Sequence, residues 1–218
     1  MKVINLSEHN SVLNQFLREI RDVEIQKDPL RFRRNIERIG EVMAIEMSKE
    51  LNYEPTEVQT PLAKATVNTI SDQLVLATIL RAGMPLHHGF LNIFDRAENA
   101  FLSAYRRENA QGELEIVAEY MAAPSIDGKT LVVVDPMLAT GMSMEVSYLA
   151  LLRHGTPKHT HLCCTIGTPQ AVEYLRTALK DSEDITLWCA AIDPILNEKK
   201  YIVPGLGDAG DLCFGTKL

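Results

Sequence analysis

Residues 131–143 read Leu-Val-Val-Val-Asp-Pro-Met-Leu-Ala-Thr-Gly-Met-Ser, and they bring a carboxylate, two hydroxyls and a helix start into one short stretch. Ser143 is placed as N-cap of an apolar-periodic segment, 144–152, with Thr140 close by. A helix N-terminus offers unpaired N–H groups and the positive end of its dipole, which suits a phosphate monoester. Asp135 is poorly suited to bind that anion itself. It suits sugar hydroxyls, or a Mg²⁺ ion carried by the same ligand. A second group of candidates is Arg81 with Gly83, directly after the apolar run 74–80. A guanidinium can fork two hydrogen bonds onto a diphosphate, and a glycine lets the backbone approach a ligand closely. The plain alternatives are an ordinary βα turn with a capping serine at 135–143, and a solvent-exposed arginine on a turn at 81.

A third stretch, Tyr201-Ile-Val-Pro-Gly-Leu-Gly-Asp-Ala-Gly-Asp211, holds three glycines and a proline in eleven residues. It cannot be a long helix or a central strand. Its backbone N–H and C=O groups are left unscreened by side chains, and a flat pyrimidine could be read by them alone. The alternative is a glycine-rich tail.

The elements that must position these groups follow from periodicity. Val12, Leu13, Phe16, Leu17 and Ile20 predict a helix over 10–22, and Asp28-Pro29 reads as N-cap and first residue of a second helix reaching about 51. The arginines 31, 33, 34 and 38 on that helix are expected on a solvated face. Short or buried strands are expected at 57–62, 74–80, 100–105, 131–134, 161–167 and 185–191, the last of these being the last strand of the sheet. Helices are expected at 86–94, 144–152 (stripe Val146, Leu149, Ala150, Leu152; stopped by Gly155) and 168–179. Pro136 is expected to stop the ladder after Asp135. Residues 108–123 break the βα rhythm and read as a hairpin with a turn at 111–112, placed as a lid. The alternation predicts an α/β fold with one doubly wound parallel sheet, preceded by an N-terminal helical arm (1–55) and carrying an inserted β-hairpin (107–124) and a C-terminal hood (192–218). In such sheets ligands bind outside the carboxyl ends of the strands, where Arg81 and Asp135 fall.

The 218 residues, 46% hydrophobic and 23% charged, have ordinary globular composition. No apolar run is long enough to span a bilayer, and no secretory signal is visible at residues 1–10. A net charge of −7 argues against a general nucleic-acid or anionic-membrane surface. Cys163 and Cys164 are expected on opposite faces of one strand, with Cys189 and Cys213 alone, so neither a disulfide framework nor a zinc site is indicated. A cytoplasmic protein is expected. His159 and His161 share a face without a third ligand, and His87 and His88 read as structural or surface residues.

An apolar strand, then Asp, then a loop ending Thr-Gly-x-Ser resembles the ribose-phosphate loop of the type I phosphoribosyltransferases. Asp135-Pro-Met-Leu-Ala-Thr-Gly141 resembles the uracil phosphoribosyltransferase branch in particular, with Pro136 where most of the superfamily has a second acid. Met142 departs from the glycine usual there and would be strained if the position needs a positive φ. Ile-Leu-Arg81-Ala-Gly83 resembles that family's diphosphate loop, which often contains a non-proline cis peptide. Tyr105-Arg106 resembles its second diphosphate element. Residues 201–211, followed by Phe-Gly-Thr-Lys (214–217), resemble its uracil-recognition hood, although Leu212-Cys213 departs from the pair often seen there.

The resemblance implies transfer of phosphoribosyl from 5-phospho-α-D-ribose 1-diphosphate to uracil, giving UMP and diphosphate, with Mg²⁺ bound through the diphosphate. It implies substrate contacts from Arg81, Arg106, Asp135, Pro136, Met137, Leu138, Ala139, Thr140, Gly141, Met142, Ser143, Ile202, Gly207, Asp208 and Ala209. Asp208 is the nearest candidate for a catalytic base. The partners expected are the two small substrates and further copies of the chain, as a homodimer or larger homo-oligomer, with no nucleic acid and no membrane. Two rivals are a regulator of the same fold that binds pyrimidine nucleotides and RNA, and a non-catalytic ligand sensor whose phosphate loop Met142 has distorted.

Overall fold

The computed structural model describes residues 1–108, 114–182 and 184–216, and for 104–108 and 114–119 the backbone alone. In chain order the elements are β1 (Lys2–Asn5), α1 (Leu13–Arg21), α2 (Pro29–Ser48), β2 (Tyr53–Gln59), β3 (Lys64–Ile70), β4 (Leu74–Leu80), α3 (Gly83–Ile93), β5 (Glu98–Glu108), β6 (Leu114–Ala122), β7 (Thr130–Val134), β8 (Met137–Leu138), α4 (Met142–Leu151), β9 (His159–Gly167), α5 (Pro169–Ala178), β10 (Ile185–Ile192), β11 (Ile195–Leu196), β12 (Ile202–Val203) and α6 (Ala209–Phe214). The central sheet has the order β1-β10-β9-β7-β4-β5-β6, and β8 extends the pairing on β9. Its pairs are parallel except β5 with β6.

Strands β4, β7, β9 and β10 are buried along nearly their whole length. Helices cover both faces of the sheet, so β4, β7 and β10 read as nearly continuous apolar runs rather than as alternation, while β9 buries Thr160, His161 and Thr165 among its apolar residues. Side chains still point alternately up and down. Leu76, Val132, Val134 and Cys163 pack with the apolar sides of α1, α2 and α3. Val75, Ala77, Val133, Leu162 and Cys164 pack with α4 and α5 on the other face. Asp28 caps α2 by accepting the N–H groups of Leu30 and Arg31, with Pro29 in the first turn. Helices α2 and α3 touch through their backbones, because a Cβ on Gly89 would lie 2.1 Å from the Glu37 carbonyl oxygen.

Several expectations are corrected. The strand expected at 57–62 overlaps β2 only over 57–59, residues 60–62 lying in the turn to β3; β2 and β3 form a separate two-stranded sheet, exposed along most of its length. With neither face buried, selection leaves no hydrophobic alternation to read there. Strand β10 is the last strand of the central sheet along the chain, but β1, which was not expected, adds a four-residue parallel strand beyond it. The α3 helix begins at Gly83, not at 86. The buried positions of α4 are Met144, Ser147, Tyr148 and Leu151, while Leu149 is 45% exposed. This helix is apolar almost all round, so no polar side fixed its orientation in the sequence. Strand β5 runs on to Glu108, and β6 is the antiparallel edge of the main sheet. The turn expected at 111–112 lies outside the described residues. A short helix, α6, lies within the hood and is not among the elements expected.

The arginines of α2 do more than face solvent. Arg31 forks onto the buried Glu19 at 2.8 and 3.0 Å. Asn35 donates to the same carboxylate at 2.8 Å. The hydrogen bonds from Arg31 and then Asn35 hold Glu19 down at about 2. Arg33 donates to the Cys213 carbonyl at 2.6 Å and so ties α2 to α6. Cys189 is not alone, because its sulfur lies 3.3 Å from that of Cys164; all four cysteines are free and buried. His159 and His161 do sit together, ring centroids 4.4 Å apart, and His161 Nδ1 accepts the Trp188 indole N–H. Among the described residues no cluster of His, Cys, Asp or Glu could hold a metal by itself, and no helix is long and apolar enough to cross a membrane.

Candidate active site

The carboxyl ends of β4 and β7 open into a cleft of about 590 Å³. Its floor is the segment after β7. The Asp135 N–H still donates to the Cys163 carbonyl at 3.1 Å, so the carboxylate leaves the sheet at a fixed place. Pro136 does not end the pairing. Its carbonyl accepts the Ile166 N–H at 3.0 Å, and Met137 and Leu138 then pair with Ile166 and Gly167. A proline lacks a donor but keeps its acceptor, so the ladder bridges it. Thr168 fixes the next residue, donating its hydroxyl to the Ala139 carbonyl at 2.9 Å while capping α5.

Gly141, not Ser143, is the N-cap of α4, at φ 85. That left-handed value needs glycine, and a Cβ there would also meet the Tyr174 ring at 2.9 Å. No side chain caps this helix. The donors of its first turn, from Met142 onward, are therefore left for a ligand, which is a better arrangement for an anion than a serine cap. Met142 lies in the first helical turn and is not among the residues with positive φ. The strain expected for it is absent, because Gly141 alone makes the left-handed turn.

Asp135 is only partly open to the cleft. Burial pushes its carboxyl up to about 7, against one favourable hydrogen bond from the Met137 N–H at 3.4 Å. Arg81 enters from the opposite wall, following a cis peptide bond between Leu80 and Arg81. Its guanidinium donates to the Gly215 carbonyl at 3.3 Å and lies 3.9 Å from the Asp211 carboxylate. Gly83 does not open the backbone to a ligand. It is buried, and a Cβ would fall 2.4 Å from Thr78 Oγ1 and 3.2 Å from the Val134 carbonyl oxygen. Its role is to let α3 begin tight against the sheet.

The third wall is the hood. Strands β11 and β12 form a small hairpin whose loop is tied by Asn197, its Oδ1 accepting the Lys199 and Tyr201 N–H groups at 3.0 and 2.9 Å. Gly207 is left-handed at φ 94, and Asp208 caps α6 by accepting the Asp211 N–H at 3.0 Å. Of the residues expected from sequence, the cleft brings together Arg81, Asp135, Met137, Leu138, Ala139, Thr140, Gly141, Ser143, Ile202, Gly207, Asp208 and Ala209. Pro136 and Met142 do not line it. Arg106 lies on β5 opposite Ile116, and its side chain is outside the described residues. Lys199 and Lys200 also line the cleft and were missed. The signal available was a pair of adjacent lysines just before the glycine-rich stretch of an acidic chain. Lys200 sits at φ 61, an unusual backbone for a side chain at a cleft.

A parallel sheet with a phosphate-type loop after one central strand, an arginine loop after its neighbour and a cover from the C-terminal segment defines the type I phosphoribosyltransferase class. The uracil phosphoribosyltransferase family model matches residues 7–216. A Porphyromonas gingivalis protein named uracil phosphoribosyltransferase is 56% identical over 218 residues, all of both chains. One of the same name from Clostridium beijerinckii is 39% identical over 188 residues, 85% of this chain and 87% of its own. The solved structure of the AQ2163 protein from Aquifex aeolicus superposes with a TM-score of 0.86 at 27% identity, covering 99% of each chain. The chain belongs to the uracil phosphoribosyltransferase family.

Proposed function

We propose that this cleft is where phosphoribosyl diphosphate and uracil become UMP and diphosphate, the pyrimidine-salvage reaction of the family. The observation that carries the assignment is the opposition, in one cleft, of the uncapped α4 N-terminus beside Asp135 and the glycine-rich segment 202–209. The first suits a sugar phosphate, and the second suits a flat base read by main-chain groups.

In this reading Thr140, Gly141 and Ser143 anchor the 5′-phosphate, far from the bond that breaks, and so position the sugar. Asp135 accepts the ribose hydroxyls. Arg81, Arg106 and the lysines 199 and 200 stabilise charge on the departing diphosphate. The bond from the anomeric carbon to the diphosphate oxygen breaks with its electron pair leaving on oxygen. The uracil ring nitrogen then bonds to that carbon and gives up its proton. Ile202, Gly207, Asp208 and Ala209 present the base, and Asp208, which lines the cleft beside them, is the proposed acceptor for the proton. Mg²⁺, when bound, neutralises negative charge on the diphosphate. The residues fit an ion delivered by the substrate: a single carboxylate, Asp135, stands beside the phosphate loop, and Mg²⁺ is ordinarily held by one or two carboxylates plus substrate oxygens.

The chain acts as one unit of residues 1–218, with helical arm 1–55, hairpin lid 107–124 and hood 192–218. It works in the cytoplasm as a homodimer or larger homo-oligomer. The exposed β2–β3 hairpin supports self-association, since it leaves Tyr53, Val58, Leu62, Val67 and Ile70 exposed. The sensor reading loses its basis because Met142 is unstrained. Diphosphate release, measured with Mg²⁺, phosphoribosyl diphosphate and each nucleobase in turn, tests the assignment. Release with uracil is expected. Release with a different base alone would overturn the reading of the hood, and release with none would overturn the enzyme.

A further inference from the structure

We infer that Arg21 and Asp193 are positioning residues for base recognition, acting as a clamp that sets the height of the hood over the cleft. The inference rests on the proposal that segment 202–209 binds uracil. Neither residue lines the cleft.

Arg21 closes α1, and Asp193 follows β10, 172 residues later. The guanidinium grips the carboxylate with both forks, Nη1 to Oδ2 at 2.7 Å and Nη2 to Oδ1 at 2.8 Å. Both partners then turn to the same residue of the hood. Asp193 Oδ2 accepts the Gly205 N–H at 2.8 Å, and Arg21 Nη1 donates to the Gly205 carbonyl at 3.0 Å. One glycine thus has both main-chain polar groups held by a single ion pair. Asp193 is itself tethered, its N–H donating to the Gly167 carbonyl at 2.9 Å. The side chain of Asp193 is 7% exposed and that of Arg21 25%, so water competes weakly for these bonds.

The held residue matters for what flanks it. Gly205 lies between Ile202 and Gly207–Ala209, the groups proposed to contact the base. Its φ of 58 and the 2.1 Å from a built Cβ to the Ile202 carbonyl oxygen make the turn sharp and glycine-specific. A base read by main-chain donors and acceptors tolerates little displacement of those groups, because every hydrogen bond shifts together. A loosened clamp therefore weakens uracil binding while the phosphate loop, built on β7 and α4, stays in place.

The test is steady-state kinetics on Arg21→Ala, Arg21→Lys and Asp193→Asn, with thermal melts to confirm folding. The clamp predicts that Arg21→Ala and Asp193→Asn raise the KM for uracil at least tenfold and the KM for phosphoribosyl diphosphate less than twofold. Arg21→Lys, which keeps the charge but loses the fork, falls between them and the parent. It also keeps the test readable should a harsher variant fail to fold. Equal rises in both KM values, or a lowered melting point with neither KM changed, would overturn the inference. Ile202→Ala separates the two layers of the argument. If it raises the uracil KM and the clamp variants do not, the clamp alone is wrong. If it too leaves uracil binding intact, the hood reading is wrong and the clamp falls with it.

Discussion

Replacing Asp135 with asparagine should make the protein more stable and less active. Burial pushes this carboxyl from 3.8 up to about 7, so the folded protein resists its ionisation and the unfolded chain does not. The full difference is about 4 kcal/mol at roughly 1.4 kcal/mol per tenfold in the ionisation constant. Asp135 keeps a partial opening to the cleft, and solvent there reduces the figure to about 2 kcal/mol. The sign follows from proton counting. Below about pH 4 both states carry the proton and the penalty is absent. Between about pH 4 and pH 7 the unfolded chain loses its proton first, so stability falls as pH rises; above about pH 7 the loss is complete. Asparagine removes the charge and can still accept the Met137 N–H. Differential scanning fluorimetry at pH 8 should show the variant melting about 4–8 °C higher than the parent. At pH 4 the gap should close. An unchanged or lowered melting point at pH 8, or a gain equally large at pH 4, would refute the argument. Turnover should fall in the same variant, because the amide cannot act as a carboxylate toward ribose hydroxyls.

The raised Asp135 also predicts that kcat/KM for phosphoribosyl diphosphate declines as pH drops below about 7, with the Asp135→Asn variant lacking that limb. Gly141→Ala, placing a Cβ 2.9 Å from the Tyr174 ring at a left-handed backbone, should raise the KM for phosphoribosyl diphosphate about tenfold, equivalent to roughly 1.4 kcal/mol, and leave that for uracil within about twofold. Gly83→Ala, 2.4 Å from Thr78 Oγ1, should cost about 1–3 kcal/mol in a urea melt. Glu19, held down at about 2 by Arg31 and Asn35, contributes stability above its usual 4.5 that is lost as pH falls from about 4.5 toward 2. Glu19→Gln should therefore melt lower than the parent at pH 7, by a margin that shrinks at pH 3.

What the sequence disclosed depended on whether an element was buried on two sides, one or none. Strands β4 and β7 were legible because helices on both faces demand nearly unbroken apolar runs. The β2–β3 hairpin was not, because Thr, Glu and Lys on exposed strands carry no periodic signal. Strand β1 was too short to show any. The cleft was legible through residue types that have few uses: an aspartate after a buried strand, Thr-Gly before a helix, glycines next to a proline. The division of labour inside the loop was not. Ser143 resembles an N-cap, and only the φ of Gly141 shows that the cap is glycine and the first-turn donors are free. Arg21 and Asp193 were illegible for a different reason. Their partnership spans 172 residues, and each alone looks like an ordinary helix-end arginine or post-strand aspartate.

The two sides of the cleft are built by different means, and that difference bears on how they communicate. The phosphate side hangs on consecutive structure: β7, the bridge across Pro136, the Thr168 bond to Ala139, and α4. Beyond the sheet it leans on α5, through Thr168 and the packing of Gly141 against Tyr174. The hood packs Ile202, Leu206, Ala209 and Cys213 into the core and is tied by polar bonds at separate points: the Arg21–Asp193 grip on Gly205, the bond from Arg33 to Cys213, and the contact of Arg81 with Gly215. Arg81 belongs to both sides, since its guanidinium lies against the C-terminal segment while it lines the cleft. A diphosphate arriving at Arg81 competes with Asp211 and the Gly215 carbonyl for the same donors, and so acts on the hood before any base is present. Occupation of Arg81 by the diphosphate should therefore be energetically coupled to uracil binding at the hood. In equilibrium binding, uracil affinity should change when a non-hydrolysable phosphoribosyl diphosphate analogue is present, and the analogue's affinity should change by the same factor with uracil. Independent affinities would show that Arg81 does not connect the two sides.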